Sequence, residues 1–244
     1  MPLNELMPMG ERAERGPLDS YVTVLVMLAV TFFFVMAMPD SRWSVLATTA
    51  MQGVTLVVLM WVSRTPRSLR VATVALLLLA AVTGLVGWWD DTDTGTGLAG
   101  VTTALLAATG PVLIFRGIRR RTLHIDVETV AAALSIYLMI GLFYSYVYGA
   151  IQDVHPPFFA QADDATRPEL LYFSFITMTT VGYGDFSPVS NAGRALAVSE
   201  AVLGQIYLVT IVALIVGNLG RPSPRARREE ALDDEAGGRS RGEP

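Results

Sequence analysis

Residues 180–184 form a short segment, Thr-Val-Gly-Tyr-Gly, whose backbone could bind a cation. A dehydrated cation needs oxygen ligands in place of its lost water, and an extended backbone with successive carbonyls facing one axis can supply them. Gly182 and Gly184 have no Cβ, so they can adopt the unusual backbone angles that such an alignment requires. We expect Val181 and Tyr183 to point away from the axis and to brace the segment against its surroundings.

The preceding stretch, Pro168 to Thr180, is moderately apolar but too short to cross a membrane. It predicts a re-entrant half-helix that ends at the cation-binding segment. Pro168 and Glu169 suit a helix start, because proline is tolerated in the first turn and an acid there complements the helix dipole. The C-terminal end of this helix would carry a partial negative charge at membrane depth, which favours a cation.

The composition of the whole chain is that of a membrane protein. Of its 244 residues, 52% are hydrophobic and only 16% are charged, and the apolar residues occur in long runs. Lipid offers no partners to backbone N–H and C=O groups, so each spanning segment must be a helix and the predicted fold is all-α. Six runs are long enough to cross a hydrocarbon core: residues 20–38, 43–62, 70–89, 98–115, 127–151 and 194–219.

The segment Thr177–Asp185, Thr-Met-Thr-Thr-Val-Gly-Tyr-Gly-Asp, resembles the signature of potassium channels, both voltage-gated and two-helix bacterial types. The resemblance implies a K⁺ selectivity filter whose ligands are the side-chain and backbone oxygens of Thr180 and the carbonyls of Val181, Gly182 and Tyr183. The chain contains one copy of the segment and no internal repeats. The resemblance therefore implies a homotetramer, with four chains around one axis.

The resemblance also implies support for the filter from residues beside it. Thr179 is expected to be one of these supporting residues. Asp185 is expected to accept a hydrogen bond from an aromatic residue of the half-helix. The matching positions are Tyr172 and Phe173, of which only Tyr172 has a donor. Ile176 stands where some bacterial members have glutamate, so a filter gate that depends on that acid is not expected here.

The match to two-helix bacterial channels continues through Pro188-Val189 and Gly193-Arg194 into the last spanning segment. Gly204 falls where that family has a glycine hinge, and glycine weakens a helix by about 1 kcal/mol relative to alanine. Gly217 and Gly220, or close helix packing at Gly204, are alternatives for this role.

Glu200 is the one acid well inside a spanning segment, and an unpaired charge there is costly, so it must face protein or water or be protonated. A functional role behind the filter or in gating and a simple packing or hydrogen-bonding role are both open. Helical spacing places four further residues on one face of the last span: Gln205, Leu208, Val212 and Val216. We expect this face to line a cavity and a lower gate, although ordinary helix packing gives the same periodicity.

The first four spans resemble the outline of a voltage-gated channel without its charges. The fourth helix of such channels carries arginine at every third position, whereas residues 98–115 contain no charge. We therefore predict no steep voltage dependence. Basic residues begin just after this span: Arg116, Arg119, Arg120 and Arg121. They could form a cytoplasmic belt and contact anionic lipid headgroups, or they could belong to a linker that couples the first four helices to the pore.

The distribution of arginine predicts the orientation in the membrane. With a cytoplasmic N-terminus, 15 of the 18 basic residues lie on the cytoplasmic side, and only Arg42, Arg167 and Arg194 lie on the other. Both termini should then be cytoplasmic, in a multi-pass protein of the plasma membrane. The predicted domains are a cytoplasmic segment 1–18, a four-helix region 19–121, a pore domain 122–220 and a disordered tail 221–244.

The sequence argues against enzymatic or metal-dependent activity. It has no cysteine, its histidines His124 and His155 are far apart, and no HExxH or GxSxG motif is present. We expect no cofactor other than K⁺ as the transported ion, and no nucleic acid partner. Two alternatives within membrane transport are a less selective cation channel and a subunit of a K⁺ uptake system.

Overall fold

The computed structural model describes residues 20–37, 42–89, 93–118 and 127–219. The regular elements in these ranges are helices, together with isolated β-bridges that Phe159 makes to Ala162 and Pro188. The predicted all-α class is therefore confirmed for the described residues. The helices are α1 (Tyr21–Ala37), α2 (Arg42–Val62), α3 (Arg67–Trp89), α4 (Asp93–Ile118), α5 (Val127–Val154), α6 (Arg167–Met178) and α7 (Asn191–Leu219).

Four helices of the described part of the chain are long and apolar enough to cross a membrane. The qualifying stretches are Arg67–Trp89, Gly97–Gly117, Val127–Val154 and Asn191–Leu214. Tyr21–Ala37 and Leu46–Val62 are shorter apolar helices. Four of the six predicted spans are thus supported by length and composition, and the six-span arrangement remains a prediction.

The chain divides into two units. Residues up to Leu208 form the first, which contains α1 to α6 and most of α7. The second begins at Val209, and its described part is the C-terminal end of α7. This end is apolar and exposed, since Val209 is 64% exposed and Val212 50%.

Helix α5 is the centre of the first unit, because α1, α4 and α6 all pack against it. Its buried face includes small residues that allow close approach, such as Ala132 and Ser135, and the large ring of Tyr148. The acid in its first turn also fixes the start of α1. Glu128 accepts hydrogen bonds from the hydroxyl of Ser20 and, at 2.7 Å, from the backbone N–H of Tyr21.

A capping box and an ion pair determine where α6 begins. Thr166 is the N-cap, and its hydroxyl accepts from the Glu169 N–H at 3.4 Å while the Glu169 carboxylate accepts from the Thr166 N–H at 2.8 Å. This reciprocal pair is a capping box. Arg167 adds an ion pair with Asp153 near the C-terminal end of α5, with an N–O distance of 2.8 Å. The predicted helix start at Pro168 and Glu169 is accordingly confirmed, with the first helical residue at Arg167.

Replacing Thr166 with alanine removes the side-chain half of the capping box, so we expect the free energy of unfolding to fall by about 1 kcal/mol. The measurement is the thermal unfolding midpoint of the purified protein in detergent, followed by circular dichroism. Thr166→Ser keeps a capping hydroxyl and is the matched control. Equal midpoints for Thr166→Ala and wild type would show that the cap does not stabilise α6.

Candidate cation-binding site

The backbone of residues 180–184 alternates between two conformations. Thr180, Gly182 and Gly184 have φ of 59°, 49° and 78°, in the left-handed region, whereas Val181 and Tyr183 between them do not. A regular strand directs successive carbonyls to opposite sides, so this alternation is compatible with the predicted row of carbonyls on one side. A β-branched residue rarely adopts positive φ, and such outliers cluster at functional sites. Thr180 is therefore the strained position of the segment.

The last turn of α6 holds the start of this segment. The N–H groups of Thr179, Thr180 and Gly182 donate to the carbonyls of Phe175, Thr177 and Ile176, each at 3.0 Å. These three bonds use carbonyls that the end of a helix would otherwise leave without an intrahelical partner. The conformation of the segment thus follows from the position of the C-terminal end of α6.

The side chains of the segment are largely uncovered by their own chain. Val181 is 52% exposed and Tyr183 is 72% exposed. We expected both to brace the segment, and within the part of the chain that the structure describes most of their surface has no such contact.

Tyr172 connects α6 to the outer end of the segment. Its hydroxyl donates to the carboxylate of Asp185 at 2.8 Å, and this hydrogen bond raises the pKa of Tyr172 above its ordinary value. Phe173, the other candidate position, is instead buried, and its ring contacts that of Tyr148. Ile176, which places an apolar side chain on α6, is 9% exposed.

The loop after the segment is fixed by pairing with the loop after α5. The N–H of Ala160 donates to the carbonyl of Ser187 at 2.9 Å, and the N–H of Val189 donates to that of Phe158 at 3.0 Å. Gln161 adds a side-chain bond in each direction to Ser187, both at 2.9 Å. The two loops therefore form one framework around the outer end of the segment.

Gly204 of α7 lies against the C-terminal end of α6. A Cβ built at this position would lie 2.6 Å from Met178 Cγ and 2.9 Å from the Met178 carbonyl oxygen, which is too close for any real side chain. A Cβ at Gly217 would meet no other atom within 4 Å. The structure thus gives Gly204 a close-packing role, one of the alternatives weighed from the sequence, while Gly220 lies outside the described residues.

Glu200 of α7 is completely buried between α5 and α6. Its Oε2 accepts a hydrogen bond from the hydroxyl of Tyr148 at 2.6 Å, and its Oε1 lies 2.5 Å from Ser174 Oγ. Ser174 Oγ also donates to the carbonyl of Gly141 at 2.7 Å. The residue thus faces protein, and its partners come from both neighbouring helices.

Of the four predicted cavity-lining residues, three have side chains that the structure describes. Gln205 Nε2 donates to Thr180 Oγ1 at 3.3 Å, which joins α7 to the first residue of the segment. Leu208 is 40% exposed and Val212 is 50% exposed. The side chain of Val216 lies outside the described part of α7.

The arginine belt is only partly described. Arg116 is exposed in the last turn of α4, and Arg119, Arg120 and Arg121 lie outside the described residues. Among the residues that the structure describes, no group of three or more His, Cys, Asp or Glu side chains could hold a resident metal ion.

Sequence reasoning did not find several contacts that position the segment. Ser174 is a small polar residue in an apolar helix, and Tyr148 is one of several tyrosines in α5, so neither was separable from ordinary core residues. The available signal was Glu200 itself, because a buried acid requires polar partners on the helices it faces. The ion pair between Arg167 and Asp153 was also missed.

Comparison with known proteins adds independent information about this region. Residues 131–220 match a family model described as an ion channel. These residues contain most of α5, all of α6, the segment 180–184 and α7. The comparisons support a potassium channel family. They indicate a channel rather than an enzyme, and they agree with a transmembrane protein that transports ions.

Similar curated proteins are potassium channels of vertebrates. The chain is 32% identical over 117 residues to the Shaker-related potassium channel tsha2 of Oncorhynchus mykiss, which covers 45% of this chain and 22% of that protein. It is 35% identical over 114 residues to potassium voltage-gated channel subfamily A member 5 of Oryctolagus cuniculus, covering 45% of this chain and 18% of that protein. The chain therefore matches only about a fifth of the length of these relatives.

Replacing Gly204 with alanine should destabilise the contact between α6 and α7 by about 1–3 kcal/mol, because the new methyl group meets both the side chain and the backbone of Met178. Gly217→Ala is the matched control in the same helix, and it should leave stability unchanged or raise it by up to about 1 kcal/mol. The unfolding midpoint in detergent measures both. If Gly204 acted only as a hinge, Gly204→Ala would be as stable as the control.

Proposed function

We propose that this chain is a subunit of a K⁺-selective channel, which conducts K⁺ passively through a filter of backbone carbonyls. The observation that carries the proposal is the segment 180–184, with alternate residues in the left-handed region, placed at the end of α6 inside the matched range 131–220. A cation that has lost its water could be coordinated by the carbonyls of Val181, Gly182 and Tyr183 and by the oxygens of Thr180.

Four copies of the chain are proposed to surround the conduction axis. One chain supplies a single filter segment, and a ring of carbonyls needs several. The exposure of Val181 and Tyr183 supports this arrangement, because neighbouring subunits would supply the bracing that the described part of the chain lacks. The proposal includes six spans, cytoplasmic termini and a location in the plasma membrane, with Arg116 and the arginines after it near anionic headgroups.

Thr180 would form the inner end of the filter. Its strained backbone is anchored to Thr177, and its hydroxyl is held by Gln205 of α7. Because that hydroxyl can accept from Gln205 and still offer a lone pair, it remains able to act as an ion ligand. Gln205 would thereby link the orientation of the innermost ligand to the position of α7.

The decisive experiment measures the permeability of K⁺ relative to Na⁺ for the purified protein in planar bilayers. We expect the reversal potential under bi-ionic conditions to show strong preference for K⁺. Gly182→Ala should lose this preference or all conduction, because its φ of 49° disfavours any side chain and a Cβ would alter the carbonyl row. Gly217→Ala is the control outside the segment. Equal permeability of the two ions in the wild type would favour the alternative of a less selective cation channel.

The channel is proposed to lack a steep response to voltage. Moving one charge through the membrane potential supplies about 2.3 kcal/mol per 100 mV, and the α4 segment has no charged residue between Leu98 and Phe115. We expect the open probability to change only weakly with voltage, as measured from single-channel recordings between negative and positive potentials. A gating charge of several elementary charges per channel would contradict this expectation.

A further inference from the structure

The carboxyl group of Glu200 is the centre of a hydrogen-bonded cluster that joins α5, α6 and α7. We name it the Glu200 cluster, and its members are Glu200, Ser174, Tyr148 and the carbonyl of Gly141. Glu200 and Ser174 are completely buried, as is Tyr148. No arginine pairs with Glu200 in the part of the chain that the structure describes. The described groups that bind the acid are both neutral, namely the hydroxyls of Tyr148 and Ser174.

A count of hydrogen atoms determines the state of this cluster. Three short contacts are present: Tyr148 to Glu200 at 2.6 Å, Ser174 to Glu200 at 2.5 Å and Ser174 to Gly141 at 2.7 Å. Each hydroxyl has one hydrogen to donate, and a carbonyl has none. Two hydroxyls thus supply two hydrogens for three contacts, so the third hydrogen has to come from the carboxyl group.

One arrangement uses every hydrogen once. Tyr148 donates to Oε2 of Glu200, the protonated Oε1 of Glu200 donates to Ser174, and Ser174 donates to the carbonyl of Gly141. An ionised Glu200 would leave Ser174 with two acceptors for a single hydrogen. It would also place a negative charge in a buried position with no cation beside it among the described residues, which protein interiors disfavour strongly. Among the described residues, the titratable groups near Glu200 are tyrosines of α5: Tyr148 bonds to it, Tyr137 interacts with it electrostatically, and Tyr144 bonds to the adjacent Ser199. None of them can provide a positive charge.

The cluster lies one turn from the contact that positions the filter segment. Ser174 and Met178 are four residues apart on α6, and their partners Glu200 and Gly204 are four residues apart on α7. Residues at this spacing lie on the same face of a helix, so the two contacts form a continuous line between α6 and α7. Removing the proton from Glu200 would disturb the contact between Ser174 and Glu200, which is one of the two.

We propose that Glu200 is a proton-binding site that is occupied at neutral pH, and that the neutral acid is a positioning residue for α6. The proton lets the carboxyl group bind Tyr148 of α5 and Ser174 of α6 while Ser174 keeps its own hydrogen for the carbonyl of Gly141. All three bonds then hold α6, from whose end the segment 180–184 begins. The proton assignment does not rest on the proposed K⁺ channel function, which enters only in one of the measurements below.

Infrared spectroscopy tests the assignment directly. The wild-type protein in D₂O at pH 7 should show the C=O stretch of a protonated carboxylic acid, and this band should be missing from Glu200→Gln. In Ser174→Ala the band should remain but shift in frequency, because the acid loses its acceptor. A wild-type spectrum at pH 7 without any band that Glu200→Gln removes would overturn the proposal, since Glu200 would then be ionised.

The positioning role is tested by comparing two substitutions. The amide of glutamine can donate to Ser174 and accept from Tyr148, so Glu200→Gln should keep the unfolding midpoint and the K⁺ over Na⁺ preference of the wild type. Glu200→Ala removes both bonds and should lower the midpoint and reduce that preference. Equal losses in both variants would contradict the role of a neutral hydrogen-bonding group. If the wild type shows the infrared band but no preference for K⁺, the proposed function fails and the proton assignment stands.

Discussion

The whole site depends on one constraint, which is that residues 180–184 belong to no helix or sheet. Backbone in this state at membrane depth is tolerated only when protein or a water-filled cavity satisfies it. Here the last turn of α6 supplies partners to the N–H groups of Thr180 and Gly182, through the carbonyls of Thr177 and Ile176. Everything that holds α6 in place therefore acts on the segment, and the capping box, the Asp153 ion pair and the Glu200 cluster are all of this kind.

The parts of this arrangement that could be predicted from the sequence are those determined locally. Glycine at 182 and 184 indicates unusual φ, and proline followed by an acid indicates the start of α6, because each signal acts within one turn of chain. The left-handed conformation of Thr180 could not be predicted, since a β-branched residue adopts it only when the surrounding structure requires it.

Contacts between residues far apart in the sequence could not be predicted in this way. The need for partners around Glu200 follows from its charge, but the choice of Ser174 and Tyr148 depends on how three helices cross. Likewise, the role of Gly204 could not be separated into hinge or packing without knowing that Met178 lies against it. The number of spans is likewise not settled by hydropathy alone, since the described part of α1 has 17 residues, at the lower end of the length that crosses a membrane.

The ion pair of Arg167 with Asp153 has a mechanical consequence. It ties the start of α6 to the end of α5, and Gln152 reinforces the same corner by accepting from the N–H of Phe158 at 2.7 Å. A displacement of this end of α5 would therefore carry α6 with it. Nearer the other end of α5, the hydroxyl of Tyr207 on α7 donates to the carbonyl of Ala133 at 2.7 Å, and its ring stacks on that of Tyr137. The start of α6 is thus tied to α5 by a charged pair, whereas Tyr207 of α7 is joined to α5 by a neutral hydrogen bond and a ring stack.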